Sequence, residues 1–408
     1  MFESFSIIFL LAALLSLVNY KWLKLPTTIG TMILALAFAI VAIASKSILP
    51  GFYELFCGII LATDFSSLLL DSMLSILLFA GAMHIDIRAL QKEKWSILIF
   101  STIGVLISTF LIGGAVYFIA PFLGIEIPLI YSLLFGALIS PTDPIAVIGI
   151  LKEAGIVESI ELKIEGESMF NDGIGVVVFT SLLFIASGET ENIGAEIGHI
   201  FLVEAVGGVV LGVILGWIAS LCIKSIQENS QLATILSIAF VLGGYAIASK
   251  LGTSGPLAMV VCGLYLGHII SNPTFNKGSR NMMNEIWEIM DESLNTVLFV
   301  LIGLSLHLIS PDTKQISLGL IVILIALLAR FISIVIPFSL LKAKEGRIKT
   351  SLLLTWGGLR GGISIALALS IPDEQYRPII LLLTFMVALF SIVIQGLSLG
   401  VLVKKLDV

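Results

Sequence analysis

Glu165-Gly166-Glu167-Ser168-Met169-Phe170-Asn171-Asp172-Gly173 runs without a break into the apolar segment 174–186. Its side chains therefore lie at the mouth of a membrane span or inside it. Three acids, an amide and a hydroxyl within eight residues are costly in a bilayer. Such groups face a bundle interior or a water-filled cavity and mark ion or proton paths. In a helix, Ser168 and Asp172 are i,i+4 neighbours on one face, and Glu167 and Asn171 pair likewise on the next. These are oxygen ligands, with no Cys or His among them, so the stretch suits a hard cation and not a transition metal.

Working outward, two further stretches answer it. Ser140-Pro141-Thr142-Asp143-Pro144 puts two prolines into an apolar run from about 128 to 151. Gly357-Gly358-Leu359-Arg360-Gly361-Gly362 puts four glycines and an arginine into the run 350–371. Irregular backbone at membrane depth is tolerated where it is buried in protein or lines a cavity. A pair of interrupted spans in opposite halves of a transporter points to its binding site.

Composition sets the class. Hydrophobic residues make up 58% of the 408 and charged residues 12%, about half the quarter usual in a soluble domain. At roughly 20 apolar residues per span, we read an all-α polytopic membrane protein of about thirteen spans: 4–20, 27–47, 66–86, 95–120, 128–151, 166–186, 196–222, 231–249, 256–271, 293–310, 316–341, 350–371 and 376–403. The longest polar stretch, 271–292, is loop-sized, so the expectation is one membrane domain over 1–408 with no soluble regulatory domain. The pI of 5.3 says little, because sidedness matters more than net charge. Sixteen of the 22 Lys and Arg fall in alternate loops on one side: Lys21, Lys24, Arg88, Lys92, Lys94, Lys152, Lys163, Lys224, Lys277, Arg280, Lys342, Lys344, Arg347, Lys349, Lys404 and Lys405. Four fall on the other: Lys46, Lys250, Lys314 and Arg377. Arg330 and Arg360 lie within spans. The positive-inside rule puts the C-terminus in the cytoplasm, and an odd span count puts the N-terminus outside. No basic run precedes the first apolar segment, so it is expected to be retained and not cleaved. Cys57, Cys222 and Cys262 fit no metal spacing or disulfide framework.

The hinge Leu25-Pro26-Thr27-Thr28-Ile29-Gly30 before the second span has a counterpart in Gly252-Thr253-Ser254-Gly255-Pro256-Leu257-Ala258 before the ninth. The broken fifth span has one in the broken twelfth. An offset of seven spans inverts topology, so 4–186 and 231–403 read as inverted six-helix repeats with 196–222 as linker, helices 5 and 12 being the crossed discontinuous pair. His84 and Asp86, at the end of the third span, read either as a proton-entry or pH-sensing pair or as wetted interfacial residues. His199, His268 and His307 lie near span ends and receive no role. Gly208, Gly212 and Gly216 form a small-residue stripe for close helix contact, within the chain or between two copies. Asn295, in the tenth span after Asp291 and Glu292, reads as interhelical glue or as part of the ion path. Arg330, deep in the eleventh span, requires a structural ion pair or a carbonyl clamp.

A partly desolvated carboxylate holds its proton more tightly, and a nearby cation releases it. A site with Asp172 and Asp143 can thus carry either protons or a cation. Arg360 is too costly to bury alone, and we expect Glu167 to compensate it, as a brace for the broken helix or as a gate. Asn171 cannot titrate. With Asp143 held ionised by hydrogen bonds and half-helix N-termini, and Glu167 committed to an arginine, one exchangeable proton remains at Asp172 for one cation. Exchange is then electroneutral.

At these residues the chain resembles the sodium/proton antiporters of the monovalent cation–proton antiporter family, in the branch of exchangers with an Asn-Asp motif. Thr142-Asp143-Pro144, Glu167-Ser168 with Phe170-Asn171-Asp172-Gly173, and Gly357-Gly358-Leu359-Arg360-Gly361 carry the resemblance, which spans nearly the whole chain. It implies that Asp172, Asp143, Ser168 and Thr142 bind Na⁺ or a proton, that Asn171 marks the electroneutral branch, and that Glu167 and Arg360 form a buried ion pair. It implies Na⁺ (or Li⁺) and H⁺ as substrates and no cofactor. A homodimer in the lipid of the cell membrane follows too, with an elevator-like movement of a six-helix core and a role in pH and sodium homeostasis. Two rivals stand beside it. One is a K⁺/H⁺ antiporter using the same site. The other is an intramembrane serine protease prompted by Gly252-Thr253-Ser254-Gly255, which has no His placed to activate Ser254.

Overall fold

The computed structural model describes residues 2–61, 64–144, 147–149, 151, 156, 158–187, 198, 202–308, 312–340 and 347–406. Lys152, His199, Lys342 and Lys344 lie outside the described residues, as do parts of the expected fifth and seventh spans. The described chain is helical from end to end: α1 Glu3–Leu23, α2 Thr27–Ser47, α3 Pro50–Ile60, α4 Phe65–His84, α5 Ile87–Leu123, α6 Leu129–Ile139, α7 Ser159–Ser187, α8 Leu202–Ser225, α9 Ser230–Lys250, α10 Gly255–Ile270, α11 Lys277–His307, α12 Thr313–Phe338, α13 Ile348–Gly357, α14 Gly362–Leu369 and α15 Arg377–Leu406.

Among the described residues ten of these helices are long and apolar enough to cross a membrane, and eleven if α13 and α14, bent by 54° at their break, count as one span. The shorter apolar helices α6 and α10 occupy the expected fifth and ninth spans, which accounts for the thirteen segments expected. Two differences stand out. The short helix α3 was not expected. At ~1.5 Å per residue it spans well under the ~30 Å hydrocarbon core, and it packs beside α2 instead. The stretch 271–292, read as loop, is largely helical: α11 begins at Lys277, capped by Asn276, whose side chain accepts from Ser279 N at 3.1 Å. Its charged residues lower the hydropathy of a helix that is nonetheless continuous.

Polar caps set several other helix starts, as expected where first-turn N–H groups lack partners. Asp64 accepts from Ser67 N at 3.1 Å, Asn229 from Leu232 N at 3.1 Å and Ser254 from Leu257 N at 3.3 Å. Ser254 thereby has a structural role at the head of α10. Asp86 likewise caps α5, accepting from Arg88 N at 2.8 Å, and both it and His84 are exposed. That contact gives Asp86 a structural role at the start of α5.

The glycine stripe of α8 is an intramolecular contact. A side chain at Gly208 would meet Ser254 O, and one at Gly212 would meet Ala258 O, so these positions let α8 lie against α10. On its other side α10 uses Gly263 and Gly267 to approach the Phe79 and Met83 carbonyls of α4. Small residues allow such close approach, and packing rather than the hydrophobic effect drives helix association in lipid.

Candidate functional site

The first break follows from its residues. The two prolines lack N–H donors, and α6 ends at Ile139. Ser140 closes the last turn, its hydroxyl donating to Gly136 O at 2.7 Å. At the second break, four glycines let the backbone leave the helix at Gly357 and re-enter it at Gly362. The two breaks touch each other. Asp143 N donates to Leu359 O at 2.8 Å, and the Arg360 guanidinium donates to the carbonyls of Ser140 and Pro141, the latter at 2.8 Å. Those carbonyls belong to the end of a half-helix, where acceptors are unsatisfied and the dipole is negative. Gly361 is required here: a Cβ at that position would overlap the Asp143 carboxylate. A π-helical stretch of α15, 391–395, braces the second break. Ser391 Oγ accepts from Arg360 N at 3.0 Å and Gln395 Nε2 donates to Trp356 O at 3.2 Å.

α7 passes both breaks and contributes four of the expected residues, Glu167, Ser168, Asn171 and Asp172. Ser168 Oγ donates to Thr142 O. Asn171 reads both ends of Thr142, its Nδ2 donating to Oγ1 at 2.9 Å and its Oδ1 accepting from the backbone N at 3.3 Å. The amide is fully buried, and this pairing holds the unwound segment against α7. Asp172 is one turn on from Ser168. It is close enough to Asp143 for the two carboxylates to repel each other. Ser168, Asp172 and Asp143 line one cavity of about 480 Å³. The structure thus brings Thr142, Asp143, Ser168, Asn171 and Asp172 together.

The expected Glu167–Arg360 ion pair is corrected. Glu167 pairs with Arg330 of α12: both guanidinium Nη atoms reach its two carboxylate oxygens, Nη2 to Oε2 at 2.9 Å. Arg330 Nη2 also donates to Leu354 O at 3.3 Å. Two buried arginines compete for one buried acid. Arg330 approaches it in the forked geometry that suits guanidinium to carboxylate, while Arg360 is already satisfied by half-helix carbonyls. Arg360 still lies within the electrostatic reach of both Glu167 and Arg330. Arg330 is therefore the ion-pair partner and Arg360 the carbonyl clamp.

Sequence reading gave no role to two acids that the cavity holds, Glu288 and Asp291. Glu165, Glu288 and Asp291 line it alongside Asp143 and Asp172, and His84 stands at the same wall. The spacing of Glu288, Asp291 and Leu298, one helical stripe, was the available signal. It was masked by reading 271–292 as loop.

The family model described as "Sodium/hydrogen exchanger, transmembrane" matches residues 7–405. The chain is 42% identical over 403 residues to the Na(+)/H(+) antiporter NhaP of Pseudomonas aeruginosa, covering 97% of this chain and 95% of that protein. It is 33% identical to the Na(+)/H(+) antiporter NhaH of Halobacillus dabanensis, covering 98% and 97%. Among solved structures, the sodium proton antiporter MjNhaP1 of Methanocaldococcus jannaschii at pH 8 superposes with a TM-score of 0.75 at 21% identity, covering 99% of this chain and 98% of that one. At that identity the likeness speaks for the fold.

Proposed function

The chain belongs to the transmembrane sodium/hydrogen exchanger family, and from that premise we propose that it exchanges Na⁺ for H⁺ at Asp172. One observation carries the reading: Ser168 and Asn171 grip Thr142, and so hold the unwound segment with Asp143 against α7 where Asp172 faces the same cavity. Carboxylate, hydroxyl and carbonyl oxygens suit a hard monovalent cation. Asp172 and Asp143 together repel when both are ionised, which favours either a bound cation or a proton between them. Either one offsets one of the two negative charges and neither is needed with the other, so the two compete and each is carried in turn. The relatives named as Na(+)/H(+) antiporters favour Na⁺ over K⁺.

The cycle is electroneutral in this proposal. Asn171 cannot titrate and has both amide ends engaged on Thr142. Glu167 is committed to Arg330. One proton at Asp172 then balances one Na⁺. The charge asymmetry of the loops supports a cytoplasmic C-terminus and an outer N-terminus. The cavity's neighbours, the turn at His84–Ile87 and the start of α11, belong to the basic set of loops, so the cavity opens inward in this state. We further propose inverted repeats over 4–186 and 231–403, an elevator-like movement of a six-helix core, a homodimer in the cell membrane, and a role in sodium and pH homeostasis. The contact between the two broken segments supports the first of these.

The test uses purified protein in proteoliposomes carrying an acid-loaded, dye-reported ΔpH. Na⁺ should collapse the gradient, and K⁺ at the same concentration should not. With the membrane potential clamped by K⁺ and valinomycin, the Na⁺-driven rate should stay the same at every imposed potential. A rate that follows the potential would refute one-for-one exchange and return Asp143 to the proton count. Collapse by K⁺ alone would establish the potassium reading in its place.

A further inference from the structure

Glu288 and Asp291 are acids of the cavity that the exchange site does not use. Both stand on α11. Along that helix, positions 288, 291, 295 and 298 form one stripe at helical spacing. Since 288, 291 and 298 all line the cavity, Asn295 falls in the stripe between two lining residues. Asn295 is 2% exposed. Neither its Oδ1 nor its Nδ2 has a hydrogen-bond partner among the described residues, and Asp291 stands one turn back on the same stripe. A buried amide in that condition is costly unless a water or an ion satisfies it.

Charge says which. Asp143, Glu165, Asp172, Glu288 and Asp291 line the cavity, and no Lys or Arg stands among its described lining residues. Glu167, outside it, has its own guanidinium. A cleft of one sign concentrates ions of the other. Carboxylate and amide oxygens are ligands for hard cations. Asp291 lines the same cavity as Asp143 and Asp172, so an ion held there reaches the exchange site without leaving the cavity.

We propose that the Asp291 carboxylate and the Asn295 amide oxygen form a staging site, which takes the transported cation from the cavity before it passes to Asp143 and Asp172. The proposal rests on the exchange-site reading above and adds a second position to it. Holding an ion at Asp291 raises its local concentration at the exchange site. Losing that position should therefore weaken apparent affinity and leave the maximal rate largely intact.

The experiment measures initial exchange rate against Na⁺, added at the cavity face, for wild type, Asp291→Asn, Asp291→Glu and Asn295→Ala, with Asp172→Asn as control. Asp291→Asn should raise the half-saturating Na⁺ about tenfold, with the rate at saturation within about twofold of wild type. Asp291→Glu should restore the half-saturation, and Asn295→Ala should raise it by about threefold. An unchanged half-saturation in Asp291→Asn overturns the proposal, as does a fall in maximal rate without a rise in half-saturation. If Asp291→Asn does not assemble, Asn295→Ala decides, and an unchanged value there overturns it equally. Transport by Asp172→Asn would sink the exchange-site reading itself. A dead Asp172→Asn beside an unaltered Asp291→Asn would sink the staging site alone.

Discussion

Glu167 and Asp172 lie five residues apart on α7, both nearly buried, and their surroundings are opposite. Glu167 has a fixed cation, Arg330, with a second guanidinium, Arg360, within electrostatic reach. Its neighbours are interlocked: Arg330 also reaches Leu354 O, and Arg360 grips the carbonyls at the end of α6. Asp172 faces a cavity lined by four further carboxylates and, among its described residues, no Lys or Arg. The two sides differ in who supplies the positive charge. Where the protein supplies it the charge is permanent, and the result is a clamp across α7, α12 and the two breaks. Where none stands among the described lining residues, a cation from solution can supply the charge, and the result is a site that fills and empties. One helix carries both, so the clamp fixes the position of the site without sharing its charge.

The largest test of this contrast removes the unpaired acid. Asp172→Asn should bring Na⁺-driven exchange down to the level of protein-free vesicles while the purified protein remains monodisperse in detergent. Normal exchange by that variant would erase the distinction between the two sides. Removing one member of the clamp should act on stability instead. Glu167→Gln and Arg330→Gln each leave an uncompensated buried charge, at a cost of roughly 3–5 kcal/mol, and the double change relieves it. Melting in detergent should therefore show the Glu167/Arg330 double variant losing less than the sum of its singles. Glu167→Gln combined with Arg360→Gln should come closer to additive. Strictly additive losses for Glu167 and Arg330 would show that the pair is not a unit. A smaller effect is expected where clamp and site meet. Gly361→Ala would push its methyl into the Asp143 carboxylate, an overpacking worth about 1–3 kcal/mol. It should raise the half-saturating Na⁺ severalfold, and an unaltered value would mean that the crossing does not set the position of Asp143.

The sequence shows one side of this contrast more readily than the other. Prolines 141 and 144 and glycines 357, 358, 361 and 362 announce broken helices because their backbone chemistry leaves little else to do. Ser168, Asn171 and Asp172 announce a shared site through helical spacing. The partner of Glu167 was not legible: two arginines are buried at span depth, and which one reaches a carboxylate 163 residues away depends on how α12 packs beside α7. The lower half of α11 was missed for a different reason. Hydropathy registers apolar runs, whereas 277–292 is a charged helix that borders a polar cavity, and only its spacing betrayed it. The helix α3 is too short for a span and carries Pro50 and Gly51 at its start, so it read as connection.

The smallest expected effect lies at the ends of the broken segments farthest from their crossing. Tyr131, near the start of α6, donates its hydroxyl to Asp373 Oδ2 at 2.7 Å, in the turn that follows α14. Its ring lies 4.5 Å from that of Tyr376. Asp373 Oδ1 accepts from Gln375 N at 2.7 Å and from Tyr376 N at 3.3 Å. The Tyr131 hydroxyl first, then these amides and the Arg377 charge, hold the Asp373 carboxyl below its ordinary range. A carboxyl lowered in the folded state stabilises it fully above the unfolded value, about 3.9, and loses that contribution as pH falls through the folded value. Tyr131→Phe removes the leading donor, so its melting deficit against wild type should be constant at neutral pH and shrink below about pH 4. Asp373→Asn removes the titrating group itself, so its deficit against wild type should shrink over the same window. No deficit for Tyr131→Phe at either pH 3 or pH 6 would mean that the tether works through ring packing against Tyr376 and not through the carboxylate. Neither variant touches the charge balance at Asp172, so both should exchange Na⁺ near the wild-type rate at neutral pH. A large loss there would mean that the outer tether, and not only the clamp at the crossing, positions the site.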